Sequence, residues 1–331
     1  MQKYYDLTNK LWRDLCVIPA PSHHEDKRVK YISDILLSWG INAEIDEAKN
    51  IIVKLQGKTP KTVVFEAHTD VVFPDTEALP LSEDESKVYC PGCGDDTAGV
   101  ALLMGVLKYI KDNDIQPENT ILIVFNSCEE GLGNLKGTKA IKTEGGHSYA
   151  AFGNKNAAEI LARGICKIYE LKAPQEGGKT TYNVGSVSGG TSVNTIVQEA
   201  QMLCEYRSEC YDNLEYMKKK FSEIFEYMRS LGGEVTVELV GERPCMKGVD
   251  EKAMREMTEL GKEIQARHTG LEITELPSST DCNIPHSMGV PALCMGTYLG
   301  GGAHTREEWV EKESLPKGFN IVKDIILHYF E

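Results

Sequence analysis

Lys61-Thr-Val-Val-Phe-Glu-Ala-His-Thr-Asp70 reads as an apolar strand that runs into a histidine and a carboxylate. Outward on the C-terminal side, Val100, Leu103, Leu107 and Ile110 recur at helical spacing, which predicts a helix from about Ala98. Thr120-Ile-Leu-Ile-Val-Phe then reads as a fully apolar strand of the kind buried inside a sheet. On the N-terminal side, Ile51-Ile-Val-Lys-Leu is a further strand. This alternation predicts an α/β fold with its sheet covered on both faces.

The middle of the chain reads differently. A helix is expected from about Asn156 to Leu171, strands around Thr181–Val187 and Ala200–Arg207, a helix from Asn213 to Leu231, and a strand at Glu234-Val-Thr-Val-Glu-Leu-Val. The order α-β-β-α-β is one strand short of a ferredoxin-like unit. No candidate for that first strand is seen, because only Thr143-Glu-Gly-Gly precedes His147. After Pro244 the α/β character resumes, with a helix at about Glu251–His268, a strand at Val290-Pro-Ala-Leu-Cys-Met and a closing helix. Residues 143–244 therefore read as a small domain inserted into a larger one made of 1–142 and 245–331.

Bulk properties narrow the function. The 331 residues carry a net charge of −14, with no basic cluster of the kind a nucleic-acid partner needs. No apolar run approaches the roughly 18 residues of a membrane span. The N-terminus lacks the apolar core of a signal peptide. Ten scattered cysteines read as reduced core thiols, and the expected location is cytoplasmic.

Four segments carry chemistry: Ala67-His-Thr-Asp70, Gly94-Asp-Asp-Thr-Ala-Gly99, Cys128-Glu-Glu-Gly131 and Gly302-Ala-His-Thr305. Two follow apolar strands and a third opens a helix. The carboxyl ends of strands in an open sheet are where ligands bind. His68 and Asp70, two apart on a strand, face the same way, and a carboxylate beside an imidazole orients it as a metal ligand. The pattern is short, and a surface histidine near a turn would look the same. Asp95 and Asp96 suit a helix N-terminus for its dipole alone, yet a carboxylate there can also bridge two metal ions. Adjacent Glu129 and Glu130 point in different directions, so one can bind metal while the other takes a proton; an ordinary acidic turn is the alternative. His304 lies in a glycine loop. Cys90-Pro-Gly-Cys93 is a lone Cys-x-x-Cys without a second pair.

In combination, and with Gly185-Ser-Val-Ser-Gly-Gly-Thr-Ser-Val-Asn194 and Ser279-Thr-Asp-Cys-Asn283, these segments resemble the M20 family of zinc peptidases and amidohydrolases, most of all its peptidase T and carboxypeptidase G2 branches. The resemblance implies a mixed, largely parallel sheet flanked by helices, plus a ferredoxin-like α+β lid that excludes water and pairs two subunits in a homodimer. It implies two zinc ions, with cobalt or manganese as substitutes. Asp95 would bridge them, His68 would bind one, Glu130 and His304 the other. Asp70 would support His68, and Glu129 would be the general base for cleaving an amide in a small peptide or an N-acyl amino acid. His147, Asn194, Arg207, Arg243 and Asn283 match positions that contact substrate.

The resemblance also implies a fifth ligand, an Asp or Glu some tens of residues after the Glu-Glu pair. Neither it nor the first lid strand has a candidate. One missing segment between about Lys142 and Thr143 would account for both, and Asp96 or Glu144 could substitute only without motif support. A natural deletion would leave the alternative of an impaired metal- or peptide-binding module.

Overall fold

The computed structural model describes residues 1–130 and 137–330. They divide into two compact units, Met1–Gly131 with Arg255–Leu276 and Leu293–Glu331, and Leu132–Met254 with Pro277–Ala292.

In the first unit, α1 (Gln2–Cys16) buries Tyr4, Thr8, Leu11, Trp12 and Leu15, one stripe of an amphipathic helix. After α2 (Asp26–Ser38) come β1 (Glu44–Ile45), β2 (Ile51–Leu55), β3 (Thr62–His68), β4 (Ser82–Glu83) and β5 (Lys87–Tyr89), then α3 (Thr97–Asp112) and β6 (Thr120–Asn126). The main sheet has the order β1-β2-β6-β3. Its β3–β6 pair is parallel, from Thr62 opposite Thr120 to His68 opposite Asn126. Both strands therefore end on one rim, and Asp70, Glu129 and Glu130 follow within a few residues.

Two expectations change here. The sheet is mixed, but not largely parallel, because β1–β2 and β2–β6 are antiparallel. It is also buried on one face only. Ile51, Val53, Ile121, Ile123 and Phe125 join the core with α3, whereas Val64 on the opposite face is 51% exposed. No described element covers that second face, so the apolar run of β6 is less deeply buried than its composition suggests.

The second unit begins with β7 (Gly137–Lys142) and β8 (Gly146–His147), then α4 (Ala157–Tyr169), β9 (Thr180–Gly189), β10 (Thr195–Ile196), β11 (Glu199–Ser208), α5 (Tyr211–Ser230) and β12 (Glu234–Leu239). The sheet order is β12-β7-β11-β9, antiparallel throughout. With α4 and α5 this is β-α-β-β-α-β, a complete ferredoxin-like unit. The first strand is present after all: it is β7, which the sequence reading leaves in the other domain. Glycine and two lysines hide it, and its conformation is imposed by neighbours on both sides. Lys142 stands opposite Glu199 and opposite Glu234, an arrangement in which unlike charges face across the ladder. Pairing continues into Thr143, whose N–H donates to Gln198 O at 2.8 Å. Ile141, Met202, Phe221 and Met228 lie in this unit's own core.

Finally come α6 (Glu251–Thr269), α7 (Asn283–Ser287), β13 (Gly300–Gly301), β14 (Trp309–Glu311) and α8 (Ser314–His328). β13-β14-β5-β4 form a small second sheet in the first unit. The expected strand at Val290–Met295 is not formed. A strand needs a ladder partner, Pro291 lacks a donor, and β3 pairs with β6 alone among the described residues. No described helix is long and apolar enough to cross a membrane.

Candidate metal centre

Parallel pairing of β3 and β6 brings Asp70 against the Glu129–Glu130 turn. Asp70 is fully buried. Its Oδ1 accepts the Glu129 N–H and its Oδ2 the Glu130 N–H, both at 3.0 Å, and Ser22 Oγ donates at 2.6 Å. His68 Nδ1 lies 3.1 Å from Asp70 O and 3.4 Å from Asp70 Oδ1. One carboxylate thus orients the imidazole and holds both glutamates. Burial would raise the Asp70 pKa, but these contacts outweigh it and hold the group below the usual range. Cys128, just before the turn, has φ 67, the left-handed conformation that swings the chain into it.

The paired aspartates separate. Asp96 caps α3, its Oδ1 accepting the Gly99 N–H at 3.2 Å. A Cβ at position 99 would sit 2.2 Å from that oxygen, so glycine is what lets the cap approach. Asp95, joined to Asp96 by a cis peptide bond, points into the cluster instead. Its Oδ1 is 2.9 Å from His68 Nε2 and its Oδ2 is 3.2 Å from His304 Nε2. His304 Nε2 is also 3.1 Å from Glu130 Oε1. His68, Asp95 and Glu130 offer donor atoms all within 4.8 Å of one another.

The electrostatics suit a cation. Burial, with Asp95 alongside, pushes Glu130 up to about 7. Burial would lower His68, but hydrogen bonds to Asp70 and Asp95 hold it well above the ordinary histidine range. The His68 contact holds Asp95 below the usual carboxylate range. Two crowded carboxylates between two imidazoles are a donor set that a divalent ion satisfies.

Two supporting residues escape the sequence reading. Glu308, 2% exposed, accepts the N–H groups of Gly92, Gly94 and Asp95 at 2.7, 2.9 and 2.9 Å and so clamps the loop that presents Asp95. Arg28 donates to Ile18 O at 2.9 Å and to Thr69 O and Thr97 Oγ1 at 3.0 Å, tying the ends of α1, β3 and the start of α3 together. Neither belongs to a motif. Only the position of Glu308, four residues beyond His304, hints at a shared task. Cys90 and Cys93 are buried, their thiols facing the carbonyls of Cys16 and Glu308.

The expected substrate residues lie in the second unit. His147 and Asn194 come together: Thr195 is opposite His147 in the β8–β10 pair, and Ser148 N–H donates to Asn194 O at 2.9 Å. Asn283 Nδ2 donates to Pro244 O at 2.9 Å, which brings it next to the Arg243 segment. Arg207 stands apart from them, its guanidinium on Glu205 at 2.8 Å. Glu144 is exposed in the second unit.

Imidazoles and carboxylates converging at a strand-end rim, with a neighbouring carboxylate in reserve, are the equipment of a metal-dependent hydrolase. The chain belongs to Peptidase family M20/M25/M40, whose model matches residues 64–328. It is 23% identical over 379 aligned positions to N-acetyldiaminopimelate deacetylase of Leuconostoc mesenteroides, covering 95% of each chain. That alignment exceeds the 331 residues here, so the relative carries residues with no counterpart in this chain. Aminopeptidase PepT of Bacillus cereus is similar in structure, with TM-score 0.76 and 20% identity over 99% of each chain. A tripeptidase of Staphylococcus aureus matches with TM-score 0.77 and 22% identity over 97% of each. Both likenesses are of fold.

Proposed function

We propose that this enzyme cleaves amide bonds in small peptides with a metal-activated water and Glu129 as general base. The observation that carries this reading is the convergence of His68, Asp95, Glu130 and His304, with Glu129 held beside them by the same Asp70 that orients His68. Zinc bound there, or cobalt or manganese in its place, supplies Lewis acidity and a water that ionises near neutral pH. The chain's residues do the rest. Glu129 accepts the water's proton and passes it to the leaving amine. Asp70 keeps Glu129 and His68 in mutual register, and Glu308 keeps Asp95 in place.

His147 and Asn194, with Arg243, Asn283 and Arg207 as further candidates, are read as substrate contacts on a lid that also pairs two subunits. The exposed Tyr149, Phe152 and Val193 around His147 and Asn194 support an interaction surface there. None of the ten cysteines forms a disulfide, in keeping with a cytoplasmic setting. The chemistry of N-acyl amino acid cleavage is the same, and the deacetylase relative supports it as a second reading. A panel of dipeptides, tripeptides and N-acyl amino acids assayed with added zinc, cobalt or manganese separates the two. Turnover of peptides above acyl amino acids is the expected result, and inertness towards all of them contradicts the proposal.

A further inference from the structure

We infer that the metal centre is unequal: one ion binds tightly at Asp95 Oδ2, Glu130 and His304, and a second binds only weakly at His68 and Asp95 Oδ1. This rests on the metal-hydrolase reading above. Two ions sharing one bridging carboxylate need two further donors each to reach the three-ligand sites typical of catalytic zinc. The described part of the first unit provides that number at one pole. His304 Nε2 is within 3.2 Å of an oxygen from each of Asp95 and Glu130.

At the other pole, among the described residues of the first unit, His68 Nε2 is the one donor in hydrogen-bond range of Asp95 Oδ1. His68 Nδ1 is turned to Asp70. Glu129 is assigned as the general base of the proposed reaction, and three other nearby carboxylates are engaged elsewhere. Asp70 is used on both oxygens by the Glu129 and Glu130 N–H groups, Asp96 caps α3, and Glu308 holds three backbone N–H groups. Glu130 lies within 4.8 Å of the His68 and Asp95 donors, but its Oε1 stands 3.1 Å from His304 Nε2, so it counts as a ligand at the His304 pole. Gly131-Leu-Gly-Asn-Leu-Lys136, which continues the chain from Glu130, contains no Asp, Glu, His or Cys. Nor does β3, which ends on His68, have a neighbour on its second edge among the described residues.

The test is zinc titration of the chelator-stripped full chain by calorimetry, with bound metal counted by elemental analysis after dialysis. One equivalent should bind, with a second at least about 100-fold weaker or below detection, since missing support to a ligand set costs 10- to 100-fold and a missing ligand more. His304→Ala should abolish the tight event. His68→Ala should keep it within about tenfold and remove the weak one; circular dichroism verifies that both variants fold. Two ions of equal affinity, or a tight event lost in His68→Ala and kept in His304→Ala, overturns the inference and leaves the hydrolase reading intact. No zinc binding at all overturns both.

Discussion

Glu308→Ala is the most informative single change outside the metal donors. The substitution strands three backbone N–H groups, those of Gly92 and Gly94 buried and that of Asp95 partly buried. An orphaned buried donor costs about 1–3 kcal/mol. The low end applies because burial raises the Glu308 pKa despite the three bonds, so part of their strength already offsets desolvation. The sum is about 3 kcal/mol or more. Glu308→Gln keeps the oxygen that serves Gly94 and Asp95 and sets an amide N–H against that of Gly92, at a cost of roughly 1–3 kcal/mol. Urea unfolding followed by tryptophan fluorescence reads the effect, since Trp12, Trp39 and Trp309 all lie in the first unit. Trp12 Nε1 donates to Cys93 O at 2.7 Å and so reports on the clamped loop itself. Freed from its clamp, Asp95 should also bind metal less well. A loss under about 1 kcal/mol in Glu308→Ala with unchanged zinc affinity refutes the clamp.

Other perturbations probe the same framework. Asp70→Asn, which places an amide N–H against a backbone N–H of the Glu129–Glu130 turn, should weaken zinc binding by about 10- to 100-fold, measured by competition with a chromophoric chelator. Zinc affinity should rise from pH 6 to pH 8: Glu130 titrates at about 7, so below that pH the metal must displace its proton as well as any held on His68, whose contacts with Asp70 and Asp95 favour protonation. Calorimetry in buffers of different ionisation enthalpy should show more protons released at pH 6; an affinity flat across this range contradicts the assignment. Gly99→Ala should lower the melting temperature by pushing Asp96 off its cap, the new Cβ lying 2.2 Å from the cap oxygen.

The sequence shows most clearly what rests on local pattern. α3, β6, α5 and β12 follow from periodicity, and His68, Asp95, Glu130 and His304 from motifs whose geometry the structure brings together. β7 was hidden because Gly137-Thr-Lys-Ala-Ile-Lys142 has little intrinsic strand character; its two neighbours, 57 or more residues away in sequence, impose it. One of the two expected losses is resolved with it, since the four-stranded lid sheet is complete among the described residues. Val290–Met295 shows the converse. Its composition is that of a strand, but composition without a partner makes no ladder. Glu308 and Arg28 act through backbone groups scattered over the chain, a kind of contact that no spacing rule reveals.

The central claim is that Glu129 moves the proton in a metal-dependent hydrolysis. Its most direct test is the turnover of a cleavable dipeptide or tripeptide by zinc-loaded wild type and zinc-loaded Glu129→Gln at equal metal content. The account predicts that Glu129→Gln retains fold and metal and loses at least about 100-fold in kcat, the lower end of what a positioned general base contributes. Turnover near the wild-type level in that variant, with its metal in place, contradicts it.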